Sequence, residues 1–164
     1  GDHNWYTVYN ELKTIHERGL LKKGGTIFFH DVCWPYGRRD MYYLPESIPG
    51  EFRHPYAKQD IGRDKSLNNA IYEGGLRNGV FTAIEDFLKE HKDKYLFFVL
   101  HKEYGLGVLI KKKDIITRIR YFKWLLKIKY YEYFSGAADF LKARLPFVYR
   151  PCARLARMFN IKRW

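Results

Sequence analysis

The sequence predicts an α/β fold: an open sheet finished by an antiparallel pair of strands and followed by a basic helical tail. Three observations carry this. The first is Gly24-Gly25-Thr26-Ile27-Phe28-Phe29-His30-Asp31-Val32, where a β-branched and aromatic run without polar alternation ends abruptly in an imidazole and a carboxylate. Such a run reads as a strand buried on both faces, as in a parallel sheet. The second is the order helix, strand, long irregular segment, helix, strand, strand across residues 5–110. The third is charge. Of the formal net +12, residues 114–164 carry +9, with 12 Lys/Arg against 3 Asp/Glu, so the basic character belongs to the tail.

Residues 5–18 read as a helix because Trp5, Val8, Leu12 and Ile15 recur at three- and four-residue spacing. Asn4 is placed to cap it, and Gly19 stops it. Gly24 and Gly25 then let the chain turn into the strand. Helix, short loop and strand make half of a βαβ crossover, so a further strand is expected before residue 1. The chain opens without an initiator Met, and it is expected to be a piece of a longer protein. Residues 33–72 show little periodicity and hold Pro35, Pro45, Pro49 and Pro55 among many aromatic and basic residues. A structureless loop of that length is rare in a compact domain unless it is functional, and so many aromatics argue against disorder. A lid or substrate loop is the expectation. Residues 79–89 read as a second helix, with Val80, Ile84, Phe87 and Leu88 on one face and Asn78 as cap. Residues 95–100 and 104–110 read as strands close enough to form an antiparallel hairpin.

The 164 residues suit one domain plus an appendage, divided here into 1–113 and 114–164, and 46% hydrophobic content is enough for a core. No stretch reaches the ~20 apolar residues of a membrane span. No apolar leader region follows the polar Gly1-Asp2-His3-Asn4 start. Cys33 and Cys152 do not make a disulfide framework, so a reducing cytoplasm is the expected setting.

In open α/β sheets ligands sit beyond the carboxyl ends of strands. His30 and Asp31 stand at such an end, and Arg38-Arg39-Asp40-Met41-Tyr42-Tyr43 follows close by. Arg38, Arg39 and Tyr42 are read as candidates to hold an anionic or hydroxylated substrate. The competing reading makes Asp31 a turn cap, His30 a rim histidine and the arginines partners of Asp40 or Glu46.

Several segments carry a resemblance. Gly1-Asp2-His3 resembles the end of a "D-G-D-H" loop, and Lys23-Gly24-Gly25 with its strand and His30-Asp31 resembles a "GG-strand-acidic" segment. Cys33-Trp34-Pro35-Tyr36-Gly37-Arg38-Arg39-Asp40-Met41-Tyr42-Tyr43, Glu73-Gly74-Gly75-Leu76-Arg77-Asn78-Gly79 and Tyr104-Gly105-Leu106-Gly107-Val108-Leu109 add to it. Residues 1–111 thus resemble the C-terminal half of a class I S-adenosylmethionine-dependent methyltransferase, in a bacterial subgroup associated with sugar and polysaccharide modification. The resemblance implies a Rossmann-like sheet ending in an antiparallel strand and methyl transfer to a hydroxyl of a sugar or glycan-like acceptor. It implies His3 as general base, since His3 matches a histidine three residues after a metal-binding aspartate; that aspartate would precede Gly1. It also implies a divalent metal at His30 and Asp31, where the family's magnesium enzymes carry two acids. Asp31 matches, but His30 replaces a carboxylate, which favours a softer metal or none. The glycine-rich loop that binds S-adenosylmethionine does not occur in this sequence, because Gly105-x-Gly107 lies inside a strand and opens no helix.

Two other classes compete. A metal-dependent hydrolase would draw on His3, His30 and Asp31, with Cys33 and His54 as further ligands. A basic module without catalysis would bind a membrane or nucleic acid through its charge. No nucleic-acid-binding motif appears, so nucleic acid is not expected as partner. In the tail, Ile115, Ile119, Phe122, Leu126, Tyr130 and Tyr133 form one helical stripe beside Arg120, Lys123 and Lys127. Ser135-Gly136 breaks it, and helices over 137–145 and 151–160 follow. Basic amphipathic helices with Trp124, Phe140 and Phe147 suit an anionic surface, which would hold the protein at the inner face of the membrane. Packing on the domain or on a partner subunit is the alternative.

Overall fold

The computed structural model describes residues 2–58, 66–101, 104–114, 116–117 and 119–123. Contacts along the chain divide it into two units, Gly1–Ile115 and Ile116–Trp164. The first is mixed α/β with two small antiparallel sheets. In the second, the described residues are helical, and Ile116, Ile119 and Phe122 are exposed. The tail elements expected beyond residue 123 lie outside the described residues. Among the described residues no helix is long and apolar enough to cross a membrane.

Helix α1 spans Trp5–Glu17 and is capped as its sequence predicts, with Asn4 Oδ1 accepting from the Thr7 N–H at 2.8 Å. Helix α2 spans Val80–His91. Its N-cap is Gly79 rather than Asn78, at φ +92°. A Cβ there would stand 2.5 Å from Arg39 N and Gly37 O, so only glycine fits. Trp5, Val8 and Leu12 from α1 meet Val80, Ile84 and Phe87 from α2 in one core with Leu21, Val32, Tyr95 and Leu109. Each large side chain buried there contributes about 1.5–3 kcal/mol of apolar transfer.

The first sheet holds strand β1 (Thr26–His30), strand β5 (Tyr95–Leu100) and strand β6 (Leu106–Lys111). Its order is β1-β6-β5, with β6 antiparallel to both neighbours, so β1 and β5 run parallel to each other. The 95–100 and 104–110 hairpin is present, in the register Tyr95↔Lys111 to Leu100↔Leu106. The expectation of a doubly buried, parallel-type β1 is corrected. Its strand partner among the described residues is the antiparallel β6. Phe28 is 55% exposed and His30 is exposed, while Ile27 and Phe29 pack against the core. β6 takes the central place, and Val108, Leu109 and Ile110 are fully buried there.

The second sheet lies within the segment expected to be an irregular lid. Strands β2 (Met41–Tyr42), β3 (Tyr56–Lys58) and β4 (Asn68–Ala70) pair antiparallel in the order β2-β4-β3, with 3₁₀ turns at Pro45–Ser47 and Gly50–Phe52. Strands of two or three residues are too short to show a period in the sequence. This part of the expectation is also corrected: as far as it is described, the segment is a folded layer. Residues 59–65 lie outside the described residues.

Candidate functional site

Two carboxylates organise the region where α1, α2, β1 and β2 meet. Asp40 is fully buried. Its Oδ1 accepts from the Trp5 N–H at 2.7 Å and the Gly79 N–H at 2.6 Å, and its Oδ2 accepts from the Tyr42 hydroxyl at 2.9 Å. One side chain therefore joins the N-terminal ends of both helices, where a negative charge is favoured by the helix dipoles. Burial pushes its carboxyl up, and the three donors pull the other way. Asn78, expected as a helix cap, instead accepts from the Asp40 N–H at 2.7 Å and donates to Tyr72 O and Gly74 O. The junction is saturated.

Asp31 is held differently. It follows β1 directly, and its backbone lies in the left-handed region at φ +56°, which for a residue with a Cβ is strained. Its Oδ2 stands 3.3 Å from His3 Nε2 and 3.3 Å from His30 Nδ1. His3 reaches it from the segment before α1, fixed there by the bond from the Met41 N–H to His3 O at 2.9 Å. The two imidazole rings meet edge to face at 5.0 Å, and Tyr36 stands 5.2 Å from the His3 ring. His3 is 8% exposed, yet neither of its ring nitrogens makes a hydrogen bond among the described residues. Burial, with His30 alongside, lowers the His3 pKa against the pull of Asp31, so the neutral ring is favoured. Ligand atoms of His3, His30 and Asp31 all lie within 4.8 Å of one another. This donor set, two imidazole nitrogens and one carboxylate oxygen, does not fit the magnesium that the resemblance implies, because Mg²⁺ asks for oxygen ligands in an octahedron.

The three residues read as substrate ligands are placed elsewhere. Arg39 is 8% exposed and donates to Ala70 O and Ile71 O at 2.6 and 3.0 Å, with Glu73 at 3.3 Å. Tyr42 is fully buried on Asp40. Both join the second sheet to the junction through these bonds. Arg38 pairs with Glu85 through two bonds of 2.5 and 2.9 Å and stacks over Phe81 at 4.6 Å. Its partners are thus Glu85 and Thr82, neither of the acids expected from the sequence. Arg38 still lines a cavity of about 240 Å³ with Val32, Cys33, Trp34, Glu73 and His101, beside the loop that carries Asp31.

The ligand-like spacing of His30 and Cys33 does not bring them together. Cys33 is a free thiol with Sγ 3.5 Å from His101 Nδ1, and burial raises its pKa. His54 sits in the second sheet region, with Nε2 2.9 Å from Arg77 O. The sequence offers Asn78 only as a helix cap and Asp40 only as a partner of the arginines, because nothing local distinguishes a carboxylate that joins two helix ends from one on a solvated turn. Comparison with protein-family models, with curated proteins and with solved structures gave no match.

Proposed function

We propose that the chain carries the acceptor side of an S-adenosylmethionine-dependent O-methyltransferase, in which the hydroxyl of a sugar or glycan-like acceptor is deprotonated at the His3–Asp31–His30 group. The observation that carries the reading is the meeting of His3 with Asp31 at 3.3 Å at the carboxyl end of β1. Two segments apart in sequence, each similar to a methyltransferase segment, converge at the carboxyl end of β1. The antiparallel last strand β6 supports it further.

Methyl transfer from a sulfonium is an in-line displacement. The methyl carbon leaves sulfur and bonds to the acceptor oxygen, whose proton passes to a base. His3 suits that role in its neutral form, with Asp31 placed to stabilise the imidazolium that results. The cavity lined by Arg38 and Trp34 offers the adjoining surface for the acceptor. Residues that bind S-adenosylmethionine are not assigned within this chain.

The test uses the open reading frame that encodes the chain. Label from methyl-tritiated S-adenosylmethionine should pass to a hexose or nucleotide-sugar acceptor. His3→Ala should lower kcat by roughly 10²–10⁴-fold while S-adenosylmethionine affinity stays constant. Absence of a glycine-rich loop upstream together with absence of label transfer overturns the reading, and near-normal turnover in the variant removes His3 from the chemistry.

A further inference from the structure

We infer that His3, His30 and Asp31 form a binding site for one divalent ion of the zinc class, and that the site discriminates against magnesium. The argument starts from distances. A tetrahedral ion with bonds of about 2.0–2.1 Å separates its ligand atoms by about 3.3–3.4 Å, whereas an octahedral magnesium with bonds of about 2.0–2.1 Å needs about 2.9 Å between neighbouring ligands. Asp31 Oδ2 stands 3.3 Å from His3 Nε2 and 3.3 Å from His30 Nδ1.

The second observation is the state of His3. Its side chain is nine-tenths buried, and its nitrogens lack hydrogen-bond partners among the described residues. A buried polar atom left without a partner is costly, and an ion at the centre of the group would supply one. The third is Asp31. A strained left-handed backbone at the end of a strand turns this carboxylate toward both rings. Donor chemistry agrees, since imidazole nitrogen suits zinc, cobalt and nickel, while magnesium takes oxygen. Three protein ligands leave a fourth position open, as in catalytic rather than structural zinc sites.

Ion binding itself is independent of methyl transfer; only the use of the ion rests on the function proposed above. The base role proposed for His3 belongs to the ion-free site; in a loaded site its Nε2 would be a ligand. A hydroxyl at the open position would be acidified by the ion instead. The site also ties the segment before α1 to the end of β1, so loading should raise the melting temperature.

The experiment titrates the tag-free, metal-free chain with Co²⁺, using its visible absorption, and then with Zn²⁺ and Mg²⁺ in competition. One equivalent of Co²⁺ should give the spectrum of a four- or five-coordinate ion, displaced by Zn²⁺ and untouched by excess Mg²⁺. His30→Ala and Asp31→Asn should each weaken Co²⁺ binding by about 100-fold or more, with circular dichroism unchanged because both residues lie at the surface end of β1. His30→Asp, which restores a carboxylate pair, should lose Co²⁺ affinity and admit Mg²⁺. No cobalt spectrum at one equivalent overturns the site, and so does a spectrum that survives both His30→Ala and Asp31→Asn. Thiolate-to-cobalt charge transfer would move the ion to a cysteine, Cys33 or Cys152, and overturn it as well. A bound ion without methyl transfer keeps the site and fails the function; methyl transfer with no cobalt spectrum at one equivalent does the reverse.

Discussion

Asp40 and Asp31 are two carboxylates on the same loop system, and the protein treats them in opposite ways. Around Asp40 both oxygens are engaged by donors that the two helix ends and Tyr42 present at 2.6–2.9 Å. Around Asp31 the backbone is strained, and the neighbouring groups are two imidazoles at 3.3 Å that make no good hydrogen bond with it. A saturated carboxylate holds a fold together. Asp31 stands instead beside a buried histidine whose ring nitrogens make no hydrogen bond among the described residues, the observation on which the proposed ion site rests.

The strongest way to break this comparison is Asp40→Ala. It leaves the Trp5 and Gly79 N–H groups and the Tyr42 hydroxyl buried without an acceptor, and should cost about 3 kcal/mol or more in stability, measured by denaturant unfolding. A loss below about 1 kcal/mol would mean that water or a neighbour replaces the carboxylate, and the junction would not be the organising element.

Asp31→Gly is the matching change on the other side. Glycine relieves the left-handed backbone, worth about 1 kcal/mol, but raises unfolded-state entropy by a similar amount, about 0.5–1 kcal/mol. Stability should therefore stay within about 1 kcal/mol of the parent, while cobalt binding is lost. A loss as large as that of Asp40→Ala would show Asp31 to be structural and erase the contrast.

Arg38→Met tests the wall between the two regions. The Arg38–Glu85 pair is 40% and 38% exposed at its side chains, so its removal should cost only about 0.5–1 kcal/mol in a thermal melt. A much larger loss would make Arg38 part of the junction rather than of the cavity.

A third histidine sharpens the comparison from the satisfied side. His16 stands 4.1 Å from the His91 ring and bonds Tyr95 at 2.8 Å and Lys94 at 3.2 Å. Lysine only donates, so Nε2 accepts and Nδ1–H donates to Tyr95. Burial, then His91 and Lys94, lowers its pKa below the ordinary 6.5, with Glu17 opposing and Lys111 adding. The unfolded chain therefore takes up the proton first. The contribution of His16 to stability is whole above the ordinary value and is lost as pH falls through it. His16→Gln should flatten the dependence of melting temperature on pH between about 7.5 and 5.5. An unchanged slope would assign that dependence to other groups.

How much of this was legible beforehand follows from the range of each signal. The helices at Trp5–Glu17 and Val80–His91 and the hairpin of β5 with β6 were readable, because a helical stripe or an apolar run is written in consecutive residues. So was the placing of His30 and Asp31 at a strand's end. The strands of the second sheet were not, being two or three residues long and held by neighbours distant in sequence.

By itself the sequence determined the local elements, the chemistry available at the end of β1 and the uneven spread of charge. Tertiary structure alone decided that β6 lies between β1 and β5, leaving β1 with one strand neighbour among the described residues and an exposed Phe28. It also decided that Arg39 and Tyr42 turn inward to the junction, and that His3 crosses from before α1 to stand against Asp31. The reason is physical. Propensity and periodicity act over a few residues, whereas the partner of a buried polar group is settled by which distant segment packing brings within hydrogen-bond reach.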